Sequence, residues 1–176
     1  MEQNFYTPME CGFSQDLIKE THTLLLKSEL SLGFAESCSG GLLSNLIVSE
    51  VGASKYFKGG IVSYCNEVKK KILNVSEDVL KNYGAVSVQC AEQMALGARG
   101  VLDADIAFSV TGLAGPDGGT KDKRVGTVCI GFSSEGSTYA KSYFFEGDRT
   151  KIRFLSAYTV LNTLKIFLLN DNICTA

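Results

Sequence analysis

The sequence predicts an α/β protein, a three-layer α/β/α sandwich built on a mixed, mostly parallel sheet. Three observations carry that expectation. Short apolar runs alternate with amphipathic segments at helical spacing along most of the chain. The central runs, such as IAFSVTG at 106–112, are apolar without two-residue alternation, as in strands covered on both faces. The last two runs are separated by the polar Ser134-Glu135-Gly136-Ser137 turn, too short for a parallel crossover, so the sheet must be mixed.

Residues 1–13 read as a loose arm, 14–170 as a single domain and 171–176 as a tail. From Ser14 or Gln15 a helix places Leu17, Ile18, Thr21, Leu24 and Leu25 on one side, with Asp16 favourable in its first turn. Gly33 leads into a short strand that stops at Ser37. Next comes the abrupt corner Ser37-Cys38-Ser39-Gly40-Gly41, and a helix from about Gly40 to Ser49. Tyr56 to Gly60 read as a turn feeding a second strand, Ile61–Cys65, with Asn66 as the candidate cap of the following helix. Ser76 caps another short helix, which Tyr83-Gly84 breaks. Val88 to Leu102 is the cleanest amphipathic segment, with Ala91, Met94, Ala95, Ala98, Val101 and Leu102 on one face. The strand at 106–112 opens into the glycine-rich loop LAGPDGGTKDKRVG. Strands at 127–132 and 139–145 follow, and Asp148 caps a final long apolar-faced helix.

Bulk properties narrow the function. A chain of 176 residues with 45% apolar and 20% charged residues suits one folded domain. A net charge of −2 argues against broad electrostatic binding of nucleic acid. No unbroken apolar run reaches the length of a membrane span, and the first thirteen residues lack the basic start and apolar stretch of a secretory signal. The six cysteines contain no CxxC pair and read mainly as reduced core residues, which implies a cytoplasmic location. The single histidine, His22, lies far from them in sequence, so no zinc site is expected.

Four segments hold groups able to carry chemistry. Ser37 reads either as a nucleophile beside an amide nest formed by Cys38, Ser39, Gly40 and Gly41, or as a simple helix cap. The corner is neither a GxSxG elbow nor a Walker loop, since Ala35 stands two before Ser37 and the GK[ST] ending is missing. Lys69, one turn into a helix at the sheet rim, reads either as a desolvated base toward a serine or as part of the solvated run Lys69-Lys70-Lys71. Thr111, Gly112 and Gly115 belong to a loop whose backbone can approach a ligand closely. Arg149 opens the last helix, where a cation is unfavourable in isolation and so suggests an anionic partner. Cys38 reads as a thiol acidified by the helix start, with no histidine to pair with it.

Several motifs agree in order and spacing with one family. AESCSGG (35–41), VGASKYFKGGIVSYCNEVK (51–69), YGAVS (83–87), SVTGLAGPDGG (109–119), VGTV (125–128) and FEGDR (145–149) resemble the CinA C-terminal domain family, which includes stand-alone nicotinamide-nucleotide amidohydrolases. The resemblance covers about Asp16 to Asn170. It implies hydrolysis of the carboxamide of nicotinamide mononucleotide to nicotinic acid mononucleotide and ammonia, without metal or organic cofactor. The alternative is a catalytically weak nucleotide-binding protein with a regulatory or competence-related role. The family's catalytic serine falls on Ser37, its lysine on Lys69, and its tyrosine, which the resemblance implies steadies the lysine or a transferring proton, on Tyr64. The threonine or serine before its GIAGP motif falls on Thr111, and its arginine of GDR on Arg149. The resemblance implies nucleotide contacts from Thr111, the 112–119 loop and Arg149, and a homodimer or larger homo-oligomer. The chain departs from the pattern at Gly59, Cys65 and Arg124, where the family has a polar residue, serine and proline.

Overall fold

The computed structural model describes residues 15–174, with side chains from 16 to 170. The expected arm at 1–13, Ser14 and Cys11 lie outside the described residues. In chain order the elements are α1 (Gln15–Ser28), β1 (Leu32–Glu36), α2 (Leu42–Val48), a 3-10 turn (Ala53–Lys55), β2 (Phe57–Val62), α3 (Asn66–Leu73) and α4 (Glu77–Asn82). They continue with α5 (Val88–Leu102), β3 (Ile106–Gly112), β4 (Thr127–Ser134), β5 (Ser137–Phe144) and α6 (Arg149–Cys174). The order of helices and strands is the expected one. The last helix runs to Cys174, through much of the stretch read as a tail.

The five strands form one sheet in the order β2-β1-β3-β4-β5. β1 pairs in parallel with β2 and β3, whereas β3–β4 and β4–β5 are antiparallel. Four strands therefore share one direction and β4 alone opposes them. The reason is local: the 113–126 connection contains no helix and cannot return the chain for another parallel pairing.

The two faces of the sheet differ in side-chain size. Phe34 and Phe108 join Leu25, Leu43, Ile152, Leu161 and Leu164 in the larger core cluster, under α1, α2 and α6. Their neighbours Ala35 and Ala107 point the other way, toward Leu73, Cys90, Met94 and Ala98 of α3 and α5. On that second face backbones approach closely. Ser109 Oγ donates to Ala91 O at 2.6 Å, and a methyl group at Gly131 would collide with the same carbonyl. Arg149–Asn170 of α6 is long and apolar enough, by length and composition, to cross a membrane (mean hydropathy 1.3). Here Ile152, Ala157, Val160, Leu161, Leu164 and Leu168 of that helix are buried in the larger core, the role of a central packing helix.

The second strand departs from the sequence expectation. It occupies Phe57–Val62 rather than Ile61–Cys65, so the segment read as a turn is strand. Parallel pairing explains it: Gly33 and Phe34 of β1 align with Gly59 and Gly60, and a methyl group at Gly60 would strike Ser44 Oγ of α2. The glycines here serve close packing of helix on strand. Asn66 is accordingly the first helical residue of α3, and the capping position belongs to Cys65, whose side chain makes no capping bond. The other expected caps are present: Ser76 Oγ accepts from Val79 N, and Asp148 Oδ1 accepts from Lys151 N.

Candidate active site

The site lies where β1, β2 and β3 end together. Ser37 N donates to Val110 O at 2.9 Å and Ser63 N to Glu36 O at 2.8 Å, so the sheet ladder holds both rims up to the last residue. Alternation along β1 puts Phe34 and Glu36 on the α2 side, and Ala35 and Ser37 on the α3 side. Lys69 reaches the same place from the first turn of α3 and is only 1% exposed. Its Nζ is 3.0 Å from Ser37 Oγ, 2.6 Å from Ser63 O and 3.4 Å from Tyr64 O.

Those three contacts have a stereochemical consequence. A neutral amine has two hydrogens and one lone pair. The carbonyls of Ser63 and Tyr64 can only accept, so they take both hydrogens and leave the lone pair toward the Ser37 hydroxyl. Burial favours the neutral form, holding the Lys69 pKa below the ordinary 10.5. Nearby thiols would oppose this only as thiolates. Burial pushes Cys38 and Cys90 up to about 11, so near neutral pH neither offers a charge to the amine. The same result corrects the reading of Cys38 as an acidified thiol: burial outweighs its own backbone hydrogen bond and the cations around it.

The amide nest expected over Cys38 to Gly41 is divided. Glu36, fully buried, takes much of it: Gly41 N donates to Oε2 at 2.9 Å, Leu43 N to Oε2 at 3.1 Å and Ser44 N to Oε1 at 2.9 Å. Ser44 Oγ adds a fourth bond to Oε1 at 2.7 Å. Gly40 N turns back to Ser37 O. Of the Cys38 to Gly41 amides, those of Cys38 and Ser39 donate neither to a backbone carbonyl nor to Glu36.

A cavity of about 190 Å³ opens beside the pair. Of the residues singled out in the sequence, Ser37, Cys38, Tyr64, Lys69, Thr111, Gly112 and Arg149 line it. Ser39, Gly40, Gly41 and Gly115 do not. Ser39 is buried behind the corner, where its carbonyl accepts from Arg153 Nη2 at 2.7 Å and Nε at 3.3 Å. Gly115 contributes its carbonyl to Arg149 Nη1 at 2.8 Å. Arg149 Nη2 also donates to Tyr64 Oη at 3.2 Å, so one guanidinium joins the glycine-rich loop to the β2–α3 junction. Thr111 Oγ1 donates to Ala85 O at 2.8 Å and fixes the 83–87 loop as the opposite wall.

Sequence reasoning missed the apolar wall of Ala85, Val86 and Ala114, the anchoring carbonyl of Ser63, and the fastening role of Glu36. Only Glu36 left a trace, as an acidic residue closing an otherwise apolar strand. Of the three departures from the family pattern, none lines the cavity: Gly59 lies within β2, Cys65 is exposed at the start of α3, and Arg124 rests over the Phe144 ring at 4.5 Å. No cluster of three or more His, Cys, Asp or Glu side chains converges among the described residues.

Comparison with known proteins places this chain in a group. The profile of the CinA C-terminal domain matches residues 14–168. A CinA-like protein of Thermotoga neapolitana is 45% identical over 155 residues, covering 88% of this chain and 38% of that protein. A putative competence-damage inducible protein of Thermoanaerobacter sp. is 45% identical over 150 residues, covering 85% of this chain and 36% of that protein. The chain thus spans just over a third of the length of the curated relatives it matches. Among solved structures, the competence or damage-inducible protein of Enterobacter asburiae superposes with a TM-score of 0.84 at 32% identity, covering 88% of this chain and 97% of that one. The competence/damage inducible protein of Agrobacterium tumefaciens gives 0.83 at 35% identity, covering 88% and 94%. The chain belongs to the CinA C-terminal domain family.

Proposed function

We propose that the protein is an amidohydrolase that converts nicotinamide mononucleotide to nicotinic acid mononucleotide and ammonia. The observation that carries the reaction type is the 3.0 Å approach of a buried, desolvated lysine amine to a serine hydroxyl at the wall of a cavity. The choice of substrate rests on the family resemblance.

In this scheme the Lys69 lone pair takes the Ser37 proton as Oγ attacks the carboxamide carbon. The Cys38 amide, at the cavity wall, is the donor left to receive the oxyanion. The Lys69 ammonium then protonates the departing nitrogen, the C–N bond breaks and ammonia leaves an acyl-serine. Water, deprotonated by the same amine, attacks that ester. Ser37 recovers its proton as the carboxylate departs. A cavity of about 190 Å³ is smaller than the ~300–1,000 Å³ common for larger ligands, so it suits the ring and its carboxamide. The ribose and phosphate extend to the mouth, toward Arg149. Tyr64 steadies that rim through its bond to the same arginine.

Purified protein incubated with nicotinamide mononucleotide should release ammonia, and the Ser37→Ala variant should not. Equal release by the two would remove the serine mechanism; none from either would remove this substrate.

A further inference from the structure

We propose that Glu36 is a positioning residue for the nucleophile, holding the Ser37 turn in its reactive shape by gathering four donors onto one buried carboxyl group. The inference deepens the serine-nucleophile reading and rests on it. Glu36 and Ser37 are adjacent, and strand alternation sends their side chains to opposite faces of the sheet. On one face the carboxyl group collects Gly41 N, Leu43 N, Ser44 N and Ser44 Oγ, at 2.7–3.1 Å. All four donors lie beyond the turn that begins at Ser37, so the chain is pulled back against the end of its own strand. On the other face Ser37 Oγ meets Lys69.

Other groups fix the turn only partly. Gly40 and Gly41 have φ of 62° and 91°, a left-handed backbone that two glycines adopt easily but do not enforce. Gly41, at the capping position of α2, has no side chain to hold it. Arg153 braces the Ser39 carbonyl alone. The geometry that brings Ser37 to Lys69 therefore depends on the Glu36 bonds. Among the described residues Glu36 has no ion-pair partner and does not line the cavity, so its effect reaches the chemistry only through the backbone.

The test reads Ser37 directly, with a small fluorophosphonate that labels reactive serines, and so does not require the natural substrate. Glu36→Gln keeps the shape but sets an NH2 group against N–H donors. It should label about 100-fold more slowly than wild type, and turnover of nicotinamide mononucleotide should fall in kcat with KM nearly unchanged. Ser44→Ala removes one donor of the four and should slow labelling several-fold, which keeps the idea testable if Glu36→Gln fails to fold. Leu46→Ala on the same helix is the control. It should lower the thermal midpoint while leaving the labelling rate of the folded protein unchanged. Wild-type labelling rates in the folded Glu36→Gln or Ser44→Ala protein would overturn the proposal, as would equal slowing in Leu46→Ala. A wild-type Ser37 that takes no label would overturn both this proposal and the nucleophile it serves. A labelled wild type insensitive to Glu36 would overturn this one alone.

Discussion

Glu36 and Lys69 are both ionisable and both buried, at 0% and 1% exposure, a few residues from the same strand ends. Their surroundings differ in one respect. Both oxygens of Glu36 are met by donors from a single turn, four bonds in all. Lys69 meets two carbonyls and one hydroxyl, oxygens that could serve the ammonium as well, and it is removal from water that favours the neutral amine. A buried polar group given all its partners holds structure together. One whose burial favours its less usual protonation state is prepared to exchange a proton.

The largest expected effect that bears on this contrast comes from Lys69→Met. Loss of the base should lower turnover by ~10²–10⁴-fold, yet thermal stability should hold or rise, because an apolar side chain of similar length fits a dry site better than a disfavoured cation. Retained turnover, or a clearly lower melting temperature, would break the contrast. Glu36→Leu should behave in the opposite sense. It strands three backbone N–H groups where water does not reach, at about 1–3 kcal/mol for each amide left unsatisfied, and denaturant titration should show that loss.

A third expectation concerns pH. The folded Lys69 pKa lies below 10.5, so below that folded value the amine is protonated in both states and its burial lowers stability. Between the folded value and 10.5 the unfolded chain holds a proton that the folded one has shed, so this penalty fades as pH rises. The stability difference between wild type and Lys69→Met should therefore shrink toward alkaline pH, and Ser37 labelling should climb with a midpoint below 10.5. A flat labelling profile would mean that the amine is not the base. The smallest effect is expected at Tyr64, whose hydroxyl accepts from Arg149 at the exposed rim. Tyr64→Phe should change turnover only several-fold, about 1 kcal/mol for one hydrogen bond.

The legibility of these features in the sequence follows their range. The bounds of α5 were readable to its last residue, because a helix lying on a sheet prints its buried face at fixed spacing, although Val101, read on that face, is exposed near the helix end. β2 was not, because Gly59 and Gly60 there answer to β1 and Ser44, contacts that local pattern does not encode. In the site, Ser37, Lys69, Thr111 and Arg149 stood out by residue type at strand and helix ends, and all four reach the cavity. The amide nest read over Cys38 to Gly41 is only partly open, because which amides remain free depends on a carboxyl group that reaches across the turn. Ala85, Val86 and Ala114 carry no chemical signal, since a wall is defined by what it faces.

The two arginines of α6 add an ordering in time. Arg149 grips Tyr64 and Gly115, and Arg153 grips Ser39, so the last helix fastens three loops contributed by earlier parts of the chain. During synthesis Ser37 and Lys69 emerge long before that helix. The nascent polypeptide would lack these fastenings until α6 has been translated, and a product terminated before α6 would leave the three loops unclamped.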